Sequence, residues 1–163
     1  MTTELEILRV NFAACAQRIQ KLVYSVEKNQ SLFPLGTARA ATLTAEEEES
    51  IDALILRYAQ CVSMIQDQLF RGIAYAEQED LSDKSNRDKT LLMEKLGAIR
   101  SAEEFGTAAT LRNKFAHHYP EETETRIERL NLVITEARFA VETFRDISRY
   151  LVLKGFVAEA TPP

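Results

Sequence analysis

The chain has 163 residues, of which 45% are apolar. That is the length of one domain and a composition able to form a core, which excludes a disordered chain. Only 5 Gly and 4 Pro argue against a turn-rich β sandwich or barrel. A net charge of -5 disfavours a protein that coats duplex nucleic acid through bulk positive charge, while leaving room for a small local basic site.

The first apolar stripe is Leu5, Leu8, Phe12, Cys15, Ile19, Leu22 and Val26. Its spacings of three and four predict a helix over 4–27 that packs on other helices. Met1 to Glu4 carry no basic n-region and no apolar h-region, so no signal peptide is expected. Pro34 and Gly36 break the pattern, and residues 30–43 read as an irregular connection.

Thr44-Ala45-Glu46-Glu47 reads as a capping box, with acidic residues placed where the helix dipole is positive. The helix it opens runs through Ile51, Leu54, Ile55, Tyr58, Val62, Ile65, Leu69 and Ile73 and is expected to end near Glu77. Residues 79–87 are polar and read as a loop. Asp88 is the expected cap of a short helix holding Leu91, Leu92, Leu96 and Ile99. Ser101-Ala102-Glu103-Glu104 is a second capping box, opening a helix with Phe105, Ala108, Leu111 and Phe115 on one side. Pro120 disfavours helical geometry at Tyr119, so this helix is expected to end or deform near His117-His118-Tyr119.

The last helix is expected over 122–153, burying Ile127, Leu130, Ile134, Ala137, Val141, Phe144, Ile147 and Leu151, with Gly155 as its stop and a frayed tail behind it. No strand pattern and no repeat is visible. The expected fold is all-α, an antiparallel bundle of about five helices in one domain. Its parts are an N-terminal helix (1–29), a connection (30–43), a main bundle (44–153) and a tail (154–163).

Cys15 and Cys61 fall on apolar helical positions and match no CxxC pattern, so they read as buried thiols in a reducing compartment. No window approaches the roughly 18 apolar residues of a membrane span. A cytoplasmic location is expected.

The residues with chemical potential are concentrated in Leu111-Arg112-Asn113-Lys114-Phe115-Ala116-His117-His118-Tyr119, which holds both histidines of the chain. Arg112 and His117 are five apart, roughly 140° around an ideal helix. They converge only if the helix loosens or a second subunit supplies the partner. Cations at a helix C-terminus also complement the dipole, so the residues by themselves fit a structural role as well. Two adjacent histidines cannot easily reach one ion, and no HxxxH or carboxylate sits at ligand spacing. Hence no metal and no cofactor is expected.

Arg112-Asn113-x-x-x-His117-x-Tyr119 resembles the R-x4-H-x-Y signature of HepT-type toxins, a branch of the HEPN superfamily of helical nucleotide-binding and RNA-cleaving domains. The likeness lies in residues 112–119 for the motif and in 44–153 for the architecture. It implies a HEPN-like homodimer in which two motifs line one cleft, and a metal-independent endoribonuclease toxin of a bacterial toxin–antitoxin pair.

In that scheme His117 is the general acid or base, and Arg112 stabilises charge on the phosphate. Asn113 positions groups by hydrogen bonding, and Lys114 and His118 add RNA-binding contacts. The chemistry suits the side chains: neutral imidazole takes a proton near neutral pH, and the guanidinium fork matches phosphate oxygens. The resemblance further implies an MNT-type nucleotidyltransferase antitoxin that silences the toxin by adenylylating Tyr119. The competing expectation is a non-catalytic module that binds a nucleotide or docks a separate nucleotidyltransferase.

Overall fold

The computed structural model describes residues 3–116 and 123–158. The fold is all-α, with no strand among the described residues. In chain order the helices are α1 (Glu4–Asn29), α2 (Thr37–Ala40), α3 (Ala45–Met64), α4 (Phe70–Ala76), α5 (Asn86–Leu96), α6 (Ala102–Ala116) and α7 (Thr123–Leu153). A 3₁₀ turn, Gln30–Leu32, follows α1. A π turn, Ile65–Leu69, joins α3 to α4, so the two form one rod.

Local chemistry sets the ends of these helices. Thr44 accepts from the Glu47 amide at 3.1 Å, and Glu47 accepts from the Thr44 amide at 3.0 Å, closing the expected box. The return bond holds the Glu47 carboxyl below its usual range, and Arg39 adds to the effect. Thr3 and Glu6 close an equivalent box at the start of α1, with the same Thr-x-x-Glu spacing.

Three local expectations are corrected. The cap of α5 is Ser85, which accepts from the Asp88 amide at 3.1 Å; Asp88 lies in the first turn instead. A serine hydroxyl three residues before an amide is the preferred N-cap geometry, and the helix therefore starts at Asn86, inside the expected loop. At α6 only half of the box forms. Ser101 accepts from the Glu104 amide at 3.1 Å, and Glu94 of α5 accepts from the next amide, that of Ala102, at 2.6 Å. In α5 the buried positions are Thr90 and Met93, and Leu91 is exposed. Thr90 is accommodated because its hydroxyl donates to the Asn86 carbonyl at 2.8 Å.

The core is continuous through α1, α3, α4, α6 and α7. Phe12 of α1 stacks on Phe144 of α7 with ring centroids 5.3 Å apart, and Phe70 of α4 tilts against Phe105 of α6 at 5.0 Å. The N-terminal helix is therefore part of the core rather than an appendage to it: six of its seven stripe residues are buried, Leu5 partly so. All eight stripe residues expected for the last helix are buried.

The connection is tied down by a smaller cluster of Leu35, Ile51 and Leu130. The Asn131 side chain supports it by accepting from the Leu35 amide at 2.6 Å and donating to the Leu35 carbonyl at 3.0 Å. Gly155, with φ of +72°, ends α7 in the left-handed conformation expected of a stop.

Candidate functional site

Arg112, Asn113 and Lys114 lie in the last turns of α6. Arg112 is half-buried, and the other two are exposed. The Arg112 guanidinium is held on three sides. Nη1 donates to Ser63 Oγ at 3.0 Å, and Nη2 donates to Gln66 Oε1 at 2.8 Å. Nε and Nη2 both donate to Asn113 Oδ1, at 3.1 and 3.0 Å. Every one of these acceptors is neutral. Among the described residues no carboxylate lies within ion-pair distance of Arg112.

The backbone explains how Gln66 reaches this position. In the π turn the Phe70 amide donates to the Ile65 carbonyl, five residues back. The extra residue locally widens the helix, and Gln66 sits buried beside Ile65 and Leu69, all three inward-facing. Such single-turn insertions are frequent at functional sites.

Arg112 stands between two cavities. One, of about 760 Å³, is walled by α5, α6 and α7 and reaches Gln66 and Asn113. The other, of about 370 Å³, is lined by Ile55, Leu56, Ser63, Phe115 and Ala116. Phe115 is half-buried and packs against both apolar clusters, less enclosed than a core position.

Glu136 of α7 also lines the larger cavity. It is 7% exposed, and its Oε2 has no hydrogen-bond partner among the described residues. Burial, and secondarily the charge on Glu104, push its carboxyl above the usual range. Nearby, the Tyr58 hydroxyl donates to the Ala108 carbonyl at 2.5 Å. Its pKa is raised by burial and by the Glu136 charge, with Arg112 opposing.

Of the expected site residues, Arg112 and Asn113 are brought into direct contact, and Lys114 lines the same cavity. His117, His118 and Tyr119 lie outside the described residues, as does Pro120. Ser63, Gln66 and Glu136 were not anticipated. For Glu136 a signal existed: it falls among Val133, Ala137 and Ala140, a carboxylate set inside the apolar arc of a helix.

Both thiols are fully buried, and desolvation pushes Cys61 up to about 12 and Cys15 higher still. Among the described residues no group of three or more His, Cys, Asp or Glu is placed to hold a metal ion. No described helix is long and apolar enough to cross a membrane. Compared with known proteins, the chain matches no family model, no curated protein and no solved structure.

Proposed function

We propose that the chain is a metal-independent endoribonuclease toxin with a HEPN-like bundle, acting as a homodimer. The observation that carries the reading is the state of Arg112. A half-buried guanidinium, fixed by three neutral acceptors and uncompensated by any carboxylate among the described residues, is a preorganised site for an anion. A side chain serving only to stabilise the helix end has no need of a buried glutamine, a serine and an asparagine to aim it.

In the proposed reaction, Arg112 holds the scissile phosphate of RNA, with Lys114 and His118 on flanking phosphates. Neutral His117 takes the proton from the 2′-hydroxyl, whose oxygen attacks phosphorus. The bond from phosphorus to the 5′-oxygen breaks, and His117 of the partner subunit protonates the leaving oxygen. The products are a 2′,3′-cyclic phosphate and a 5′-hydroxyl. Asn113 keeps the guanidinium fork in plane with the phosphate. A partner nucleotidyltransferase of the MNT type silences the enzyme by transferring AMP to Tyr119, which adds bulk and negative charge beside the anion site.

The test is RNA cleavage by purified, unmodified protein in excess EDTA, beside His117→Ala and Arg112→Ala. Intact mass establishes that Tyr119 carries no AMP. Cleavage that survives the chelator and is lost in both variants supports the nuclease. A folded, unmodified wild type that cleaves no RNA overturns it, and retained nucleotide binding in that case identifies the non-catalytic module.

A further inference from the structure

Arg112 borders two cavities, and its hydrogen bonds divide unequally between them. A guanidinium carries five N–H donors, one on Nε and two on each Nη. Nε and both donors of Nη2 are spent on Asn113 and Gln66, which line the larger cavity. Nη1 makes one bond, to Ser63 Oγ at 3.0 Å, and Ser63 lines the smaller cavity. Among the described residues, one N–H of Nη1 is therefore without an acceptor.

Ser63 holds a second unspent donor. Its oxygen accepts from Arg112, and its hydroxyl proton has no acceptor among the described residues. Thr90, Thr107 and Thr110 show the usual alternative: each hydroxyl donates to the carbonyl four residues back in its own helix, at 2.8, 3.1 and 2.9 Å. No such bond joins Ser63 to Ala59. Ser63 and Arg112 are both half-buried and line the same cavity, so the two spare donors lie side by side where a ligand can enter. That cavity has a volume of about 370 Å³, inside the range of roughly 300–1,000 Å³ common to small-molecule sites. Leu56, 58% exposed, and half-buried Phe115 give it apolar surface. The carboxylate in its lining, Asp52, is eleven residues before Ser63 on α3, about 16 Å along the helix axis. Adjacent cationic and hydroxyl donors beside an apolar wall describe a phosphate ester with an apolar body.

We propose that the phosphate seats in the smaller cavity, on Arg112 Nη1 and Ser63 Oγ, and that Ser63 is a second phosphate-binding residue. The inference rests on Arg112 being the anchor of the proposed nuclease. Nη1 and Ser63 Oγ donate to different oxygens of one phosphate, while Ser63 goes on accepting from Nη1. The adjoining nucleoside lies on Leu56 and Phe115. The strand then passes Arg112 into the larger cavity, where Arg87 and Lys114 meet flanking phosphates. Asn113 and Gln66 have the separate task of fixing the other edge of the guanidinium, so that its spare donor stays on the Ser63 side.

The experiment is NMR titration of the full chain with inorganic phosphate, with thermal melts to establish that each variant is folded. Ser63→Ala is expected to weaken phosphate by about tenfold or more, as for loss of a hydrogen bond to a charged group, and Ser63→Thr to restore most of the binding. Gln66→Met also takes an acceptor from Arg112 but removes no donor from the smaller cavity, so its loss should be smaller. Equal losses in Ser63→Ala and Gln66→Met would mean that Ser63 only aims the guanidinium, and would overturn the proposal. A second pair of variants puts the same charge on either side of Arg112. Ala59→Asp adds a carboxylate to the smaller cavity one turn from Ser63, and Thr110→Asp adds one to the larger. Ala59→Asp is expected to weaken phosphate by about tenfold or more, and Thr110→Asp by less. Equal effects, or the reverse order, place the anion outside the smaller cavity and overturn the proposal even if Ser63→Ala does not fold. In either failure, phosphate binding that is still lost in Arg112→Ala leaves the anchor of the proposed nuclease standing. If the folded wild type binds no phosphate, the Ser63 site and that anchor fall together.

Discussion

At the scale of single residues, the site separates function from stability. Glu136 and Arg112 illustrate the two directions. Buried and unpartnered, Glu136 costs the fold free energy in its charged form. Its carboxyl is shifted upward from 4.5, so the stability linked to this group is lost as pH rises through the folded value. Glu136→Met is therefore expected to stabilise the protein by about 1 kcal/mol at pH 7, raising Tm by about 2–4 °C. The gain should shrink as pH falls and be smallest well below 4.5, where the wild-type carboxyl is neutral in both states. Melting curves at pH 5 and 7 check this, and a lower Tm for the variant at pH 7 would show that Glu136 is satisfied in solution.

Arg112→Ala runs the other way. It leaves Gln66 buried without its donor, at a cost of about 1–3 kcal/mol. RNA cleavage should fall by about 10²–10³-fold in protein that is still folded, as for removal of one donor to a transition-state oxyanion. Comparable losses in Tm and activity for Arg112→Lys, which keeps the charge but not the fork, would point to the geometry as the decisive property. Arg112 and Asn113 were legible in the sequence because they are neighbours in one segment. Ser63, Gln66 and Glu136 come from two other helices, and no local spacing connects them to Arg112.

At the scale of elements, the helices follow from periodicity and caps, and the departures have local causes. The stripe of α7 and the rod of α3 and α4 were visible because apolar residues recur at helical spacing through their whole length. The π turn within that rod was not visible, since one inserted residue leaves the stripe through Ile65, Leu69 and Ile73 intact. The close crossing of α1 and α4 was equally hidden, because it depends on a single glycine. A Cβ at Gly72 would lie 2.6 Å from Leu8 Cδ1 and 3.0 Å from Leu8 Cβ. The first contact is relieved by a rotamer change, but the second requires α1 to move. Overpacking of this kind costs about 1–3 kcal/mol, against about 1 kcal/mol gained in helix propensity. Gly72→Ala is expected to lower Tm by a few degrees. The check is a double-mutant cycle with Leu8→Ala: the pair should cost less than the sum of the singles, and strict additivity would mean that the crossing has slack.

At the scale of the whole molecule, an acidic chain must attract a polyanion through a local field. The net charge is -5, so RNA far from the site is repelled, while Arg87, Arg112 and Lys114 share one cavity wall. Attraction then depends on few phosphates, and its salt dependence counts them. Each neutralised phosphate of a single strand contributes roughly -0.7 to the slope of log binding constant against log salt. Three cations in one cavity give a slope of roughly -2, and two cavities facing one cleft in the proposed dimer give roughly -4. A protein that bound RNA across its whole surface would show a steeper slope. The measurement is equilibrium binding of a short single-stranded RNA to His117→Ala, chosen to prevent turnover, from 50 to about 300 mM salt. A slope of roughly -4, from a protein that sediments as a dimer, would place two cavities on one RNA. A slope of roughly -2 would leave a single cavity as the binding unit, and His117 would then have to protonate the leaving oxygen itself, by returning the proton it took.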